Sequence, residues 1–479
     1  MPFLVKQLGV ETYGLWALIT AITGYFLILD LGMSTAVGRL MAGCRASGDL
    51  AKLNTIISTV AVLFIAICFV IWMVTFAIVT IFFQFFHVPP AQYMDVHNAL
   101  MINGLSIGLF VLGVPFYSML WGYERFDLAN SVDIPVLLAR TAMVFWLFRE
   151  GGSLVELSFL TLLGNVASAI LYMLQCWRLE PRLSVKPSHC SLEVAKSLFH
   201  FAKYYSFLTI SRTLTAQIGT LIVGHGLNYQ MVTTFSVARQ LTVYSNNFIV
   251  SVTQVATARA AVLYFGDQID RQRALFIEGG KYAMALSCFF AIGFFVLGAP
   301  FLMVWQRGLL DHAYLPLIVL TIGEIVPMSQ WVTFGIITSM GKHRILGIFA
   351  VLEAVAIVAS APALASEFRV VGVCAAVGFA GFVFRGLCQF VYGCKLLEIT
   401  PLSYTRKVFV PVLIPSFMQL GLFGLASIWF APRSWPQLIL AGAIYALSYG
   451  LLLSPFLFGW RKLPRHARML LQRIQGPVA

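Results

Sequence analysis

Residues 54–86 read NTIISTVAVLFIAICFVIWMVTFAIVTIFFQFF, a run of 33 residues without one charged side chain. A hydrocarbon core about 30 Å thick is crossed by about 20 residues of helix, so this run predicts a membrane span with turns to spare. It is far too long for a barrel strand and lacks alternation with a period of two. The whole chain repeats the message. Of its 479 residues 59% are hydrophobic and 11% charged, against roughly 25% charged in soluble proteins, and the mean hydropathy is +0.86. Such a chain cannot cover a water-facing surface. A soluble enzyme, a nucleic-acid binder and a disulfide scaffold are excluded on that ground.

The same ruler gives thirteen apolar runs, near 12–40, 54–86, 97–121, 131–148, 154–178, 199–224, 230–258, 276–305, 312–340, 345–365, 370–394, 408–430 and 436–460. The fold class expected is all-α, a polytopic bundle of transmembrane helices. The longest connection, about 179–198, is too short for a catalytic domain, so no enzymatic activity is expected. Six of the eight cysteines lie in or beside apolar runs, where Cys serves as a small hydrophobe, and no pair has CxxC spacing. No metal and no cofactor are expected. The stretch Gly335 to Gly341-Lys342-His343 fails as a phosphate loop, because one residue too many intervenes and His replaces Ser or Thr.

The net charge of +13 is distributed unevenly. Connections after odd-numbered runs hold fourteen Lys and Arg and the C-terminal tail five, whereas the opposite side holds five. Lys and Arg accumulate on cytoplasmic loops, so the C-terminus is expected inside. Thirteen spans then place residue 1 outside. An internal repeat suggests why. Gly48-Asp49 recurs as Gly266-Asp267, Gly122 and Arg125 as Gly341 and Arg344, and Glu180 as Glu398, all separated by 218 or 219 residues. The register predicts parallel lobes at 1–180 and 190–400, two additional helices in 401–460, and a basic cytoplasmic tail at 461–479. Shifted back by one repeat, run 199–224 has no complete counterpart. The expectation is a fourteen-helix protein without most of its first helix, with Met1 to Val5 as its tail.

Three local motifs sharpen this layout. Leu8-Gly9-Val10-Glu11-Thr12-Tyr13-Gly14-Leu15-Trp16 opens the first run, Leu29-Asp30-Leu31-Gly32 with Ala36 and Arg39 closes it, and Leu120-Trp121-Gly122-Tyr123-Glu124-Arg125-Phe126 forms a turn. The chain thereby resembles the multidrug/oligosaccharidyl-lipid/polysaccharide (MOP) exporter superfamily over nearly its whole length, in particular the polysaccharide-transporter branch. The resemblance implies two lobes in a MATE-like arrangement with alternating access. It further implies a Wzx-type flippase that carries an undecaprenyl-pyrophosphate-linked oligosaccharide across the bacterial inner membrane for O-antigen, capsule or exopolysaccharide synthesis. Membrane lipids, a polysaccharide polymerase and glycosyltransferases are the implied partners, and nucleic acid is not. A multidrug or cation antiporter and a lipid II flippase of the same superfamily are the alternatives. One departure is visible: Ala256-Thr257-Ala258-Arg259 lacks the Pro that family members often carry before this basic residue, which removes the basis for a kink there.

Eight basic residues fall inside runs. Arg39, Arg178, Lys203 and Lys281 lie close enough to an end to snorkel, whereas Arg212, Arg140, Arg239 and Arg385 lie deeper. Intramembrane charge marks a cavity or a buried pair. For a flippase, these four are the candidate headgroup-binding cations, since the planar guanidinium fork matches phosphate. The competing role is pairing with a buried carboxylate, for which Asp30, Asp133, Glu278, Glu324 and Glu353 are available. Asp30 precedes Gly32 and is expected at a helix irregularity, with a structural or coupling role. Glu324 and Glu353, near mid-depth in consecutive helices, are candidate proton carriers or structural carboxylates. Their axial offset argues against a direct pair.

Overall fold

In hydrocarbon each backbone N–H and C=O must be bonded within the protein, which leaves helices as the spanning element for a chain of this pattern. A computed structural model describes residues 1–306, 308–429 and 432–458, and among these every regular element is helical. The basic tail expected at 461–479 lies outside the described residues. Eleven stretches are long and apolar enough to cross a membrane. One of them, His343–Leu396, is two helices: the backbone leaves helical geometry at Arg369 (φ 52°, ψ −135°), and Gly372 comes against the carbonyl of Leu364. A further helix, Leu192–Gly226, is long enough but more polar. The thirteen runs read from the sequence thus each have a helical counterpart.

Packing divides the chain after Thr233. The first unit contains α1 (Pro2–Leu8), α2 (Val10–Gly24), α3 (Met33–Ser47), α4 (Leu50–Phe85), α5 (Tyr93–Gly122), α6 (Phe126–Leu147), α7 (Leu154–Leu179) and α8 (Leu192–Gly226). The repeat puts its boundary between 180 and 190, whereas by packing α8 lies on α2, α3 and α4. The motif glycines have local reasons. Gly9 takes φ 84° between α1 and α2, and a Cβ at Gly14 would fall 2.8 Å from the Tyr229 carbonyl carbon. The first run is interrupted at Leu31 (φ 49°) and Gly32 (φ 69°), where Asp30 accepts from Ser34 N at 3.2 Å and Ser34 Oγ at 2.8 Å. Asp30 thus bonds the first turn of α3.

Small residues let α5 approach its neighbours. A Cβ at Gly108 would lie 2.8 Å from Trp72 Cδ1, and one at Gly113 would lie 2.7 Å from Ala169 Cα. Between α5 and α7, Asn103 donates to Ser158 Oγ at 2.7 Å and Asn165 to Ser106 Oγ at 2.8 Å. The connection after α7 is tied to α4, with Ser184 N on Asn54 Oδ1 (2.9 Å), Lys186 N on Ser58 Oγ (3.1 Å) and Ser191 N on Thr59 Oγ1 (3.0 Å).

The second unit contains α10 (Ile269–Gln306), α11 (Tyr314–Ser329), α12 (Trp331–Ser339), α13 (His343–Gly381), α14 (Gln389–Leu396), α15 (Pro401–Tyr404), α16 (Val410–Trp429), α17 (Trp435–Phe458) and most of α9 (Tyr229–Phe265). Helix α9 runs unbroken through Arg259, in keeping with the absent Pro. The last helix, α17, is fastened to α10: Tyr445 and Tyr449 hydroxyls donate to the carbonyls of Phe289 (2.6 Å) and Ala285 (2.9 Å). A like turn occurs in both halves, 217 residues apart rather than the 218 or 219 of the sequence matches. Arg125 N bonds Leu120 O at 2.9 Å after Glu124 (φ 56°), and Lys342 N bonds Ile337 O at 3.1 Å after Gly341 (φ 69°).

Helices α11 and α13 touch backbone to backbone at Gly323 and Gly378; a Cβ at Gly323 would lie 2.6 Å from Gly378 O. Overpacking a fitted contact costs about 1–3 kcal/mol. Gly323→Val is expected to destabilise the protein by about that amount, read as earlier thermal unfolding in lipid nanodiscs, while Gly421→Val, with nothing within 4 Å of the added Cβ, is expected to leave unfolding unchanged.

Candidate functional site

The tight crossing at Gly323 sets the next residue, Glu324, against α13 and the wide-turn stretch Phe382–Cys388 that carries Arg385. Such π stretches concentrate at functional sites. Arg385 Nη2 and Nη1 donate to Glu324 Oε1 and Oε2 at 2.6 and 3.0 Å, and Nε donates to both oxygens of Glu353 at 2.9 and 3.0 Å. One guanidinium thus joins three helices. Glycine makes the room: a Cβ at Gly381 would lie 3.3 Å from Arg385 Cζ and 3.5 Å from Glu324 Oε1. The Glu353 side chain is 0% exposed and that of Glu324 is 13% exposed.

The electrostatics follow from the stoichiometry. One guanidinium serves two carboxylates at mid-span, and each of its bonds to them is charge-assisted. The first half differs at this level. At the repeat spacing of 218 or 219, Ser106 or Leu105 stands for Glu324 and Ala167 or Val166 for Arg385.

Of the seven residues singled out by the sequence, the structure brings Arg385, Glu324 and Glu353 together. The two carboxylates do not bond each other, as their axial offset indicated, but share Arg385, which the sequence reading placed among the headgroup cations. Asp30 stands apart, engaged with Ser34. Arg140 lies mid-span on α6, half-buried, with its stem over Gly164 of α7, where a Cβ would meet Cδ at 3.5 Å. Among the described residues no carboxylate pairs with it. Asp133, two turns earlier on α6, instead accepts from the Tyr172 hydroxyl. Arg212 is at the middle of α8, exposed, and Arg239 is half-buried on α9. Sequence reading had no signal for the Asp133–Tyr172 contact, because a Tyr in an apolar run looks like packing.

The remaining motif residues are structural. Arg125 forms a two-pronged pair with Asp127 (2.9 and 2.8 Å), and Arg45 reaches the Tyr123 carbonyl and Glu124 (3.2 Å), so the turn is closed by exposed charges.

A family model described as polysaccharide biosynthesis protein matches residues 1–257. The uncharacterized membrane protein EpsK of Bacillus subtilis (strain 168) is 24% identical over 221 residues, 46% of this chain and 44% of that protein, so the match spans less than half of the relative's length. Among solved structures, an inward-facing multidrug resistance MATE family transporter of the MOP superfamily aligns with TM-score 0.72 at 14% identity, over 83% of this chain and 93% of that one. The lipid II flippase MurJ, in an inward closed conformation, aligns with TM-score 0.68 at 14% identity, over 98% and 97%. These two likenesses establish the fold. The family match extends over more than half of the sequence and makes the chain a member of the polysaccharide biosynthesis protein family.

Proposed function

We propose that the protein flips an undecaprenyl-pyrophosphate-linked oligosaccharide from the cytoplasmic to the outer leaflet of the bacterial inner membrane, by alternating access, for surface polysaccharide synthesis. Family membership supports a transporter in this pathway. The observation that carries the reading to a pyrophosphate lipid is Arg140, a mid-span guanidinium with no carboxylate among the described residues to neutralise it. Such a cation is costly unless an anion or water meets it, and a diphosphate is an anion matched to the guanidinium fork. Arg212 and Arg239 are the further headgroup cations proposed. An exporter of cationic drugs would instead require exposed carboxylates. We assign Arg385 with Glu324 and Glu353 to coupling: the cluster takes up a proton in one state of the cycle and releases it in another. The C-terminus lies in the cytoplasm in this reading, and the repeat halves 1–180 and 190–400 are the moving lobes. A glycan polymerase and glycosyltransferases are the neighbours that would supply and consume the cargo.

In a strain lacking its own flippase and expressing this chain, Arg140→Ala and Arg212→Ala are expected to lower surface polysaccharide at least about tenfold, a loss of about 1.4 kcal/mol of binding. Lipid-linked glycan should accumulate on the cytoplasmic leaflet. The corresponding Lys variants should retain part of the output, because a point charge replaces the fork. Full output from all four variants removes the assignment.

The cluster makes a separate prediction about stability. Arg385→Met removes the guanidinium that both carboxylates bond and is expected to cost about 3–5 kcal/mol. Adding Glu324→Gln and Glu353→Gln should recover most of it. Thermal unfolding in nanodiscs reads both, and equal stability of the single and triple variants contradicts the pairing.

A further inference from the structure

Helix α9 carries a strip of neutral polar side chains through its middle, in the second unit. Gln240, Tyr244, Asn247, Ser251 and Gln254 recur at intervals of four and three residues, the spacing that keeps side chains on one face of a helix. Tyr244 is 54% exposed, Asn247, Ser251 and Gln254 are exposed, and Gln240 is half-buried. The side chains beside them are apolar and comparably open, with Phe248 52% and Val252 48% exposed. The open surface of α9 is thus divided lengthwise into a polar strip and an apolar one.

At 1.5 Å per residue α9 is about 55 Å long and the strip about 21 Å, with Asn247 at the midpoint. The strip fits within a hydrocarbon core about 30 Å thick, in the uncharged stretch between Arg239 and Arg259. Buried hydroxyls of the same helix are satisfied locally: Ser245 donates to Leu241 O at 3.2 Å and Thr253 to Ile249 O at 2.8 Å. Asn246, off the strip, accepts from Trp331 Nε1 at 2.8 Å. Within the strip Ser251 donates to Asn247 O at 2.9 Å, but among the described residues no group bonds the Gln240, Asn247 or Gln254 amides or the Tyr244 hydroxyl. Open amides against hydrocarbon are costly, and polar side chains within spans face the bundle interior or a water-filled path. Exposure selects the second. The first half has no such strip: at a spacing of 218 it carries Ile22, Phe26, Leu29, Met33 and Ala36, and at 219 Ala21, Tyr25, Ile28, Gly32 and Thr35, with no amide in either register.

The chemistry of the strip selects its ligand. Without a cation it does not match a diphosphate, and without a carboxylate it does not match a cationic drug. Amides and hydroxyls donate and accept hydrogen bonds, as every sugar hydroxyl does, and the open Tyr244 ring offers an apolar face to a sugar's C–H side. We infer that the strip from Gln240 to Gln254 contacts the glycan of the cargo and sets which sugars are carried. The inference rests on the reading of the cargo as a lipid-linked oligosaccharide. No covalent bond is made or broken; hydrogen bonds to water are exchanged for hydrogen bonds to sugar.

A charged, membrane-impermeant maleimide tests the strip on the full chain in nanodiscs, in a Cys190→Ser background that removes the exposed cysteine. Ser251→Cys should label about tenfold faster than Val252→Cys, because a thiol in apolar surroundings stays protonated. Undecaprenyl pyrophosphate bearing a neutral trisaccharide should slow labelling of Ser251→Cys about tenfold at ten times its Kd, and undecaprenyl pyrophosphate without sugar should leave the rate unchanged. Fluorescent analogues give the Kd of each lipid. Asn247→Leu combined with Gln254→Leu should weaken binding of the trisaccharide lipid about tenfold, the worth of one good hydrogen bond, with thermal unfolding and binding of the sugar-free lipid unchanged. Equal labelling of Ser251→Cys and Val252→Cys, or cross-linking of Ser251→Cys between two copies by a bismaleimide, overturns the strip as a water-facing surface. Equal protection by both lipids, or none from a trisaccharide lipid that binds, overturns the glycan contact and leaves the flippase reading standing. A trisaccharide lipid that does not bind overturns the flippase reading, and the inference with it.

Discussion

The absence of water in the hydrocarbon core is the constraint on which the rest of this structure depends. It forces the backbone into helices and makes every polar side chain within a span account for itself. Most do so by turning back on their own helix: Thr75 on Ile71 (2.7 Å), Thr253 on Ile249 (2.8 Å), Ser287 on Ala283 (2.9 Å) and Thr321 on Leu317 (2.6 Å). Others join helices, as Asn103 and Asn165 do between α5 and α7. Against that economy the exceptions become informative. Arg140 has no carboxylate pairing with it among the described residues, and Arg385 bonds two carboxylates at once.

The exceptions are not spread evenly over the repeat. The first half holds Ser106 or Leu105 where the second holds Glu324, and Ala167 or Val166 where it holds Arg385. The two halves share the turn that closes at Leu120 and at Ile337, so the same scaffold carries different chemistry. Glycine lets helices meet closely in each half, at Gly113 in the first and Gly323 in the second.

The fold was legible because lipid leaves so few options: an uncharged run of 33 residues has one reading, and all thirteen runs became helices. The break after Asp30 was also legible, since Gly32 tolerates positive φ. The cluster was half legible. Glu324, Glu353 and Arg385 each stood out as ionisable residues at mid-depth, but their meeting depends on a helix crossing set by Gly323 and Gly378, which sequence spacing does not disclose. The division by packing was hidden too, because α8 lies with α2, α3 and α4 although the repeat counts it with the following half. Buried Gln, Thr and Tyr gave no signal, for each is common in membrane helices and only its neighbours make it unusual.

Transbilayer movement tests the account most directly. Purified protein is reconstituted into vesicles bearing a fluorescent undecaprenyl-pyrophosphate oligosaccharide, and the fraction reaching the opposite leaflet is followed with and without an imposed pH gradient. The account predicts movement well above that of protein-free vesicles, accelerated by the gradient in the unaltered chain and insensitive to it in Glu353→Gln. Movement no faster than in protein-free vesicles, or an acceleration that survives in Glu353→Gln, would contradict it.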